Sequence, residues 1–240
     1  MSVAVSRHPT TTEIRRDASS GPVFDHALCV ADATPSGHAA RRQAAALAGD
    51  GGTVRLVVGW RAGREPNTVW KLADGADLLV VGAETLPHRI LQVAPIPVLL
   101  SRWLPFNDDI AARILVVVDQ AVDPDRAAEV AGALAARRGG EVSILPSHAH
   151  SRSLQRSLAA SRRIVLETTG VWPEVLGDEL ASEAAISSAV RQFDPSVVVL
   201  PLGETPDARG RAISIARHLT CPVLAVPSPA QSIRLREPQM

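Results

Sequence analysis

The sequence predicts an α/β protein with two doubly wound, mostly parallel sheet units, and three observations support this prediction. Apolar residues make up 46% of the 240 residues and aromatic residues 3%, so the core must consist chiefly of Val, Leu, Ile and Ala. Short apolar runs alternate with Ala-rich stretches, which is typical of buried parallel strands covered by helices. Several segments also occur twice. The chain is therefore interpreted as a first half and a second half.

The repeat is clearest near the end of each half. RILQVAPIPVLL at residues 89–100 matches SIARHLTCPVLA at residues 214–225, at an offset of 125 residues. Both segments have the pattern of a helix end, a turn, a proline and a buried strand. Near the start of each half, an apolar strand ends in an aspartate, Asp32 or Asp119, and these two residues are 87 apart. We therefore expect each aspartate to close the first strand of its half.

An Ala-rich helix and a second strand are predicted after each opening strand. Each helix start combines an N-cap residue with a proline, and each helix end carries a Gly-Gly pair. The starts are Thr34-Pro35 and Asp123-Pro124, the ends are residues 51–52 and 139–140, and the second strands are residues 53–58 and 141–146. Both halves therefore begin with a β-α-β unit.

The second half contains about 33 residues that the first half lacks. The second strands of the halves are 88 residues apart, but the apolar strands at 78–82 and 198–203 are 121 apart. The extra residues predict a helix at 153–169 and a short strand at 171–176. Because the third strand lies at the edge of a sheet ordered 3-2-1-4-5, its deletion leaves the central strands paired. We expect that order in the second half, and the same order without strand 3 in the first.

The boundaries of the halves follow from composition. Residues 1–22 are polar and rich in Ser and Thr, and residues 229–240 follow a Ser-Pro boundary, so both are predicted to be weakly ordered tails. The first half is predicted at residues 23–104 and the second at 110–228. The segment at 105–109 is interpreted as the linker between them.

Composition and charge exclude several classes of function. The 25 basic residues balance 25 acidic ones, so no basic surface for nucleic acid is expected. No apolar stretch approaches the roughly 20 residues that cross a bilayer, and the amino terminus has no sustained apolar signal region. The two cysteines, Cys29 and Cys221, lie in or beside apolar runs, which indicates buried thiols rather than a disulfide framework. We expect a soluble, cytoplasmic protein without nucleic-acid or membrane partners.

The second half resembles the universal stress protein A family. The resemblance rests on the opening strand ILVVVD, the Ala-rich helix, the strand after Gly-Gly and the closing segment IARHLTCPVLAVP. The first half shows it in VAD, LLVVGAE and ILQVAPIPVLL. The resemblance implies a flavodoxin-like (adenine-nucleotide alpha-hydrolase-like) fold, dimerisation through the last strand, ATP binding in one subgroup, and roles in stress or dormancy. The chain is then a tandem form with a truncated first half.

The phosphate loop of the ATP-binding subgroup is absent from both halves. In that subgroup the loop after the fourth strand has the pattern G-x2-G-x9-G-[ST], where glycines allow close backbone approach to the phosphates. Gly203 matches the first glycine, but Pro206 stands at the second, and the loop is about seven residues too short. In the first half Gly82 is the first glycine, and only seven residues separate it from Ile90. We therefore predict that neither half carries the ATP cradle.

A degenerate ligand site is the alternative. Asp32 and Asp119 match the family's strand-end aspartate, which in binders lies near the base and ribose, although aspartate is also a good residue for ending a strand. At the start of the last helix, Arg209 and Arg211 could hold a phosphate together with helix N–H groups, while a solvated loop is the structural alternative. The candidate residues are Asp119, Gly203, Arg209, Gly210 and Ser214 in the second half, and Asp32 and Gly82 in the first.

Catalytic and metal sites are not predicted. His148 and His150 have no third ligand at a useful spacing, and the position of Cys221 near His218 is explained by packing at the entry to the last strand. No P-loop, G-x-S-x-G or H-E-x-x-H motif occurs.

We therefore expect a non-catalytic regulatory protein that needs no cofactor or metal and acts through a protein partner. The two halves are expected to pack as a pseudo-dimer through their last strands, at residues 97–100 and 222–226. A nucleotide-responsive sensor that binds ATP or AMP in the second half is the alternative function. Further pairing of exposed edges into a homodimer is also open.

Overall fold

The computed structural model of the chain describes residues 23–49, 51–58, 66–83, 88–103, 109–119, 122–147, 151–177 and 183–228. The predicted tails and residues 105–108 of the predicted linker lie outside these ranges. The strands are β1 His26–Ala31, β2 Thr53–Val58, β3 Leu78–Gly82, β4 Val98–Ser101, β5 Arg113–Val118, β6 Glu141–Pro146, β7 Glu174–Val175, β8 Val197–Leu202 and β9 Val223–Pro227. The helices are α1 Pro35–Ala48, α2 Pro66–Leu72, α3 Asp125–Arg138, α4 Arg152–Thr169, α5 Glu183–Phe193, α6 Pro206–His218 and a 3-10 helix, η1, His88–Val93.

The described strands form one sheet in the order β2-β1-β3-β4-β9-β8-β5-β6-β7. Neighbouring strands are parallel except β4 and β9, which pair antiparallel. From here on, the first half means β1 to β4 and the second half means β5 to β9. The predicted α/β class, with doubly wound parallel strands, is confirmed.

The sheet separates two apolar cores. Successive strand residues point to opposite faces, so Val116 lies in one core and Val117 in the other. One face carries α1, α3 and α4, and the other carries α2, η1, α5 and α6. Within the described residues, no helix is long and apolar enough to cross a membrane.

The two Ala-rich helices begin differently. Thr34 is the N-cap of α1 and accepts a hydrogen bond from the Gly37 N–H, as predicted. Asp123 is not the N-cap of α3, because Pro124 itself takes helical angles (φ −88°, ψ −4°) at the cap position. The Asp123 carboxylate instead accepts a hydrogen bond of 3.0 Å from the Asp125 N–H. The helix therefore begins one residue later than an aspartate cap predicts.

The third strand of the second half is shorter than predicted. It contains two residues rather than the six of the predicted segment at 171–176, and it pairs with β6 at Ser143 and Ile144. Pro173 precedes the strand and has no N–H to donate, and Gly177 follows with a φ of 73° that ends extended structure. In the first half, the helix before the last strand is the 3-10 helix η1 rather than an α-helix.

Candidate functional site

The candidate residues of the second half meet at the carboxyl ends of β5 and β8. These strands are parallel neighbours, so the loop that follows Val118 lies beside the loop that follows Leu202. Asp119 is buried directly after β5, with its Oδ2 atom 3.7 Å from the Nε of the half-exposed Arg211. The structure therefore brings Asp119, Gly203 and the start of α6 together in one crevice, where α/β proteins bind ligands.

The space beside Gly203 is filled by protein. A Cβ atom built on Gly203 would lie 2.4 Å from the Cβ of Ala208 and 3.1 Å from the Cγ2 of Val122. The glycine thus allows α6 to pack against the β5–α3 loop. A ligand that approached the Gly203 backbone from this side would meet the same two side chains.

The amino terminus of α6 has few N–H groups left for an anion. Thr205 caps the helix, with its Oγ1 3.2 Å from the Ala208 N, and its carbonyl accepts from the Arg209 N at 3.0 Å. Pro206, the first helical residue, has no N–H. Asp207 adds a carboxylate in the first turn, where the helix dipole would otherwise favour a bound anion. The N–H groups of Ala208 and Arg209 are therefore satisfied within the chain.

Arg209 lies in the contact between the halves. Its side chain is buried, and all three guanidinium nitrogens donate to backbone carbonyls. The acceptors are Gly203 O (2.9 Å from Nε), Leu91 O and Gln92 O (3.1 and 2.6 Å from Nη1) and Ala94 O (3.4 Å from Nη2). Burial lowers the pKa of Arg209 from its ordinary value, but an arginine in a protein stays charged. The guanidinium therefore ties α6 to the end of η1.

Gly210 and Ser214 complete the predicted second-half set. A Cβ atom built on Gly210 would have nothing within 4 Å, so no group lies close enough to require a glycine there. Ser214 is half-buried on α6, and its carbonyl lies 2.8 Å from the Nδ1 of His218. The surroundings of Gly210 and Ser214 do not resemble a phosphate cradle.

In the first half, Asp32 closes the turn between β1 and α1. Its Oδ1 accepts a hydrogen bond of 3.0 Å from the Thr34 N and a second from the Thr34 hydroxyl. A Cβ atom built on Gly37 would lie 2.4 Å from the same Oδ1, so α1 packs directly onto the aspartate. Gly82 is the buried last residue of β3, and the loop at 84–87 that follows it lies outside the described residues. These contacts agree with the interpretation of Asp32 as a residue that ends a strand and accepts hydrogen bonds in the following turn.

Three further arginines tie one half to the other, and sequence reasoning missed them. Like Arg209, each donates to a carbonyl in the last turn of a helix that belongs to the other half, where carbonyls have no partner within the helix. The pairs are Arg102 Nη2 to Ala216 O (2.9 Å), Arg137 Nη2 to Ala48 O (3.4 Å) and Arg138 Nη2 to Ala46 O. No local sequence pattern predicts these contacts, because each joins residues 89 or more apart.

Solved structures reproduce this arrangement of strands and helices. A universal stress protein from Archaeoglobus fulgidus DSM 4304 matches with a TM-score of 0.65 and 12% identity, over 85% of this chain and 96% of that chain. This chain has the universal stress protein fold. At that identity the likeness concerns the fold alone.

Two other structures are similar to parts or most of the chain. A functionally unknown protein from Pseudomonas aeruginosa PAO1 gives a TM-score of 0.61 and 16% identity, over 88% of this chain and 95% of that chain. A universal stress protein in complex with cAMP has 17% identity and covers 48% of this chain and 96% of that one, with a TM-score of 0.39, too low for a shared fold to be argued. No protein-family model and no curated protein sequence matches the chain.

One described cavity of this universal stress protein fold lies beside the crevice, and another lies at the opposite ends of the strands. An open depression of about 400 Å³ borders the crevice, lined by Asp123, Asp125 and Arg156 among others. Burial raises the pKa of the Asp125 carboxyl, and the carboxylates of Asp123 and Glu129 raise it further. A cavity of about 960 Å³ lies between the ends of α3 and α4, at the amino end of β6. The first depression thus combines two carboxylates with one guanidinium.

The described residues include two buried thiols, Cys29 and Cys221. Burial raises the pKa of Cys29 to about 11 and that of Cys221 to about 12, so both thiols are protonated at neutral pH. No group of three His, Cys, Asp or Glu side chains among the described residues could hold a metal ion. His148 and His150 lie outside these residues.

Proposed function

We propose that this chain is a tandem, non-catalytic regulatory protein of the universal stress protein type, which acts through protein interaction and has lost the nucleotide site. One observation carries the proposal: Ala208 and Val122 fill the space beside Gly203, the residue that matches the first glycine of the phosphate loop. A phosphate needs the backbone at this position to be accessible. The fold is thus retained while its usual ligand loop is packed shut.

The electrostatics of the crevice support the same proposal. Arg209, the strongest candidate for a phosphate ligand, donates hydrogen bonds to two backbone carbonyls of η1. Arg211 faces Asp119, and Asp207 places negative charge at the start of α6. An incoming phosphate would have to displace the Arg211–Asp119 pair and approach two carboxylates.

The contact between the halves supports an interaction role. Family members are expected to dimerise through the last strand, and here β4 pairs with β9 of the same chain. The four arginines reinforce that pairing with charge-assisted hydrogen bonds to helix ends. We propose that the chain is its own pseudo-dimer in the cytoplasm, which leaves other surfaces for partners.

Thermal unfolding with adenine nucleotides tests the proposal. The purified chain is heated with and without millimolar ATP, ADP, AMP or cyclic AMP, in the presence of Mg²⁺. A ligand at 100 times its Kd stabilises by about 2.7 kcal/mol, or several degrees in Tm, and we expect no such shift. A shift that the Arg211→Ala substitution removes would contradict the proposal and establish the nucleotide-responsive sensor in its place.

A further inference from the structure

Among the described residues of the first half, no helix covers one face of β2. Val54, Leu56 and Val58 point to the α1 side of the sheet and are 37, 47 and 61% exposed. In the second half, Val142 and Ile144 of β6 stand 88 residues later in the same register against the opening strand, and they are 8 and 0% exposed. The exposed side chains form an apolar stripe along an edge strand.

Helix α4 provides the cover in the second half. Its residues Leu154 and Val165 are buried in the same core as Ile144. The helix also packs closely on α3, where a Cβ atom built on Gly132 would lie 3.0 Å from the Cβ of Thr168. Among the described residues of the first half, the only α-helix besides α1 is α2, whose Val69 belongs to the core on the opposite face. No described helix of the first half therefore occupies the place that corresponds to α4.

We call this place the first-half groove. Its floor is the apolar stripe of β2, and its side is one face of α1. The residues of that face lie 87 positions before the residues of α3 that pack under α4. The groove residues are Val54, Leu56 and Val58 on β2 and His38, Arg41 and Ala45 on α1. On α3 the counterparts Ala128 and Gly132 are buried, whereas Arg41 is half-buried and Ala45 is exposed.

The charge of the groove is opposite to that of its counterpart. In the second half, Asp125 of α3 lies close to the basic α4, because it lines one depression with Arg156, and Arg163 of α4 lowers the pKa of Asp125 against the raising effects of burial and neighbouring acids. In α1 the residue that corresponds to Asp125 is His38, the cation on this face is Arg41, and the helix has no acidic residue. The face of α3 thus favours contact with a basic helix, and the corresponding face of α1 favours contact with an acidic one.

Arg41 places a cation beside the apolar stripe. The residue lies close enough to Cys29 for its charge to oppose the effect of burial on that thiol, and Cys29 is the partner of Leu56 in the sheet register. Its Nη2 makes one long hydrogen bond, 3.5 Å to Asp32 O, and the residue is only half-buried. A carboxylate on a helix in the groove would pair with the accessible part of this guanidinium.

We propose that the first-half groove binds an acidic amphipathic helix of a partner protein. Apolar side chains of that helix cover Leu56 and its neighbours, as Leu154 and Val165 cover Ile144, and its carboxylates pair with Arg41 and His38. The inference rests on the proposed interaction role and names the chemistry of the partner. Helix-in-groove docking is a common mode of peptide recognition.

Three segments of this chain fit the groove poorly because of their charge. Helix α4 carries four arginines and one glutamate, so α4 of a second copy would bring like charge to α1. Residues 1–22 contain three arginines and two acidic residues, and residues 59–65 contain two arginines and one glutamate. Each is basic overall, whereas the groove calls for an acidic occupant.

The test compares two labelled 18-residue peptides by fluorescence anisotropy on the full-length chain. One has the α4 sequence, and the other has that sequence with all four arginines replaced by glutamate. Because their apolar residues are identical, a difference reports charge alone. We expect the acidic peptide to bind about tenfold tighter or more. Equal binding, or tighter binding of the α4 sequence, would overturn the proposal.

Three variants locate the binding. Leu56→Glu should weaken the acidic peptide about tenfold or more, whereas Val171→Glu, at an apolar residue of similar exposure outside the groove, should leave it unchanged. Arg41→Glu should reverse the preference toward the α4 sequence. Unchanged binding by Leu56→Glu would place the site elsewhere. Because Leu56 and Val171 are exposed, circular dichroism should report intact folds for both variants.

The remaining occupants give distinct results. If deletion of residues 1–22 tightens peptide binding about tenfold, the chain's own amino terminus fills the groove, and the proposal of an external partner is wrong. If sedimentation detects a dimer that Leu56→Glu dissociates, the occupant is a second copy. Nucleotide binding in the thermal experiment would contradict the proposed loss of the nucleotide site and leave these peptide results unaffected.

Discussion

Strands β2 and β6 hold the same position in the two halves, yet their apolar faces have different surroundings. Each strand pairs in parallel with the opening strand of its half, and each presents a branched apolar residue at the centre. Ile144 on β6 is fully buried under α4, whereas Leu56 on β2 is half-exposed. The difference comes from α4, which has no counterpart among the described residues of the first half, rather than from the strands themselves.

This comparison distinguishes the interactions that keep a strand extended from those that bury its side chains. Backbone pairing with β1 is enough to keep β2 extended, although its side chains bury little area. Burial depends on a second layer, because a sheet face becomes a core only when another element covers it. In the first half, α1 and η1 pack against the sheet, whereas no described helix packs against the α1-side face of β2.

The largest expected effect tests the comparison directly. Ile144→Ala should destabilise the protein by about 2–5 kcal/mol, because it removes buried methyl groups and leaves a cavity. Leu56→Ala, at the corresponding position, should cost less than about 1 kcal/mol, since much of its side chain already contacts water. Urea unfolding of both variants provides the measurement. Similar costs for the two substitutions would mean that β2 is covered in solution.

The second prediction concerns the ties between the halves. Arg209→Met should cost about 2–3 kcal/mol, because it removes charge-assisted hydrogen bonds and leaves buried carbonyls of η1 without donors. Arg211→Met, two residues away and half-exposed, should cost less than about 1 kcal/mol. Urea unfolding measures both costs, and hydrogen exchange should report faster opening around η1 in the Arg209 variant. A larger loss for Arg211 would contradict the structural role of Arg209.

The contrast between covered and open positions also applies to two glycines of the second half. Gly203→Ala should destabilise by about 1–3 kcal/mol, because the new Cβ meets Ala208 at 2.4 Å. Gly210→Ala should stabilise by about 0.5–1 kcal/mol, because it lies within α6 with open space around it. Thermal unfolding gives both signs. Two changes of the same sign would argue against the packing described around Gly203.

The smallest expected effect concerns the charge of Asp125 on α3. The pKa of Asp125 is raised by burial and by Asp123 and Glu129, so folding disfavours its ionised form. Stability from this group is therefore greatest in acid and falls as the pH rises through the pKa of the folded protein. Asp125→Asn should raise the urea midpoint slightly near neutral pH and leave it unchanged below about pH 3. A midpoint lowered at neutral pH would mean that the helix dipole outweighs those neighbours.

Much of the fold could be predicted from local patterns in the sequence. Val-rich strands, Ala-rich helices and glycine stops located most of the elements, and the change in repeat spacing located the extra helix and edge strand. The cap of α3 was misassigned to Asp123, because aspartate before proline fits two turn geometries and the sequence does not distinguish them. The strand β7 was predicted too long, since Pro173 and Gly177 limit its pairing.

The candidate site was only partly predictable. Gly203, Asp119 and Arg211 were expected at the crevice and lie there, because strand ends of a parallel sheet share one edge. The role of Arg209 was not predictable, since its acceptors on η1 are more than 100 residues away in the sequence. The residues beside Gly203 also depend on how α6 packs against a distant loop.

By itself, the sequence determined most of the element types and showed that neither candidate loop has the G-x2-G-x9-G-[ST] pattern, because strand periodicity, capping and glycine spacing are properties of short segments. Only the tertiary structure decided that Arg209 donates to carbonyls of η1, that Ala208 packs beside Gly203 and that no described helix covers the stripe on β2 beside Arg41. Those outcomes depend on which surfaces meet when the two halves join at β4 and β9. A side chain that can reach several partners takes the one that packing brings close.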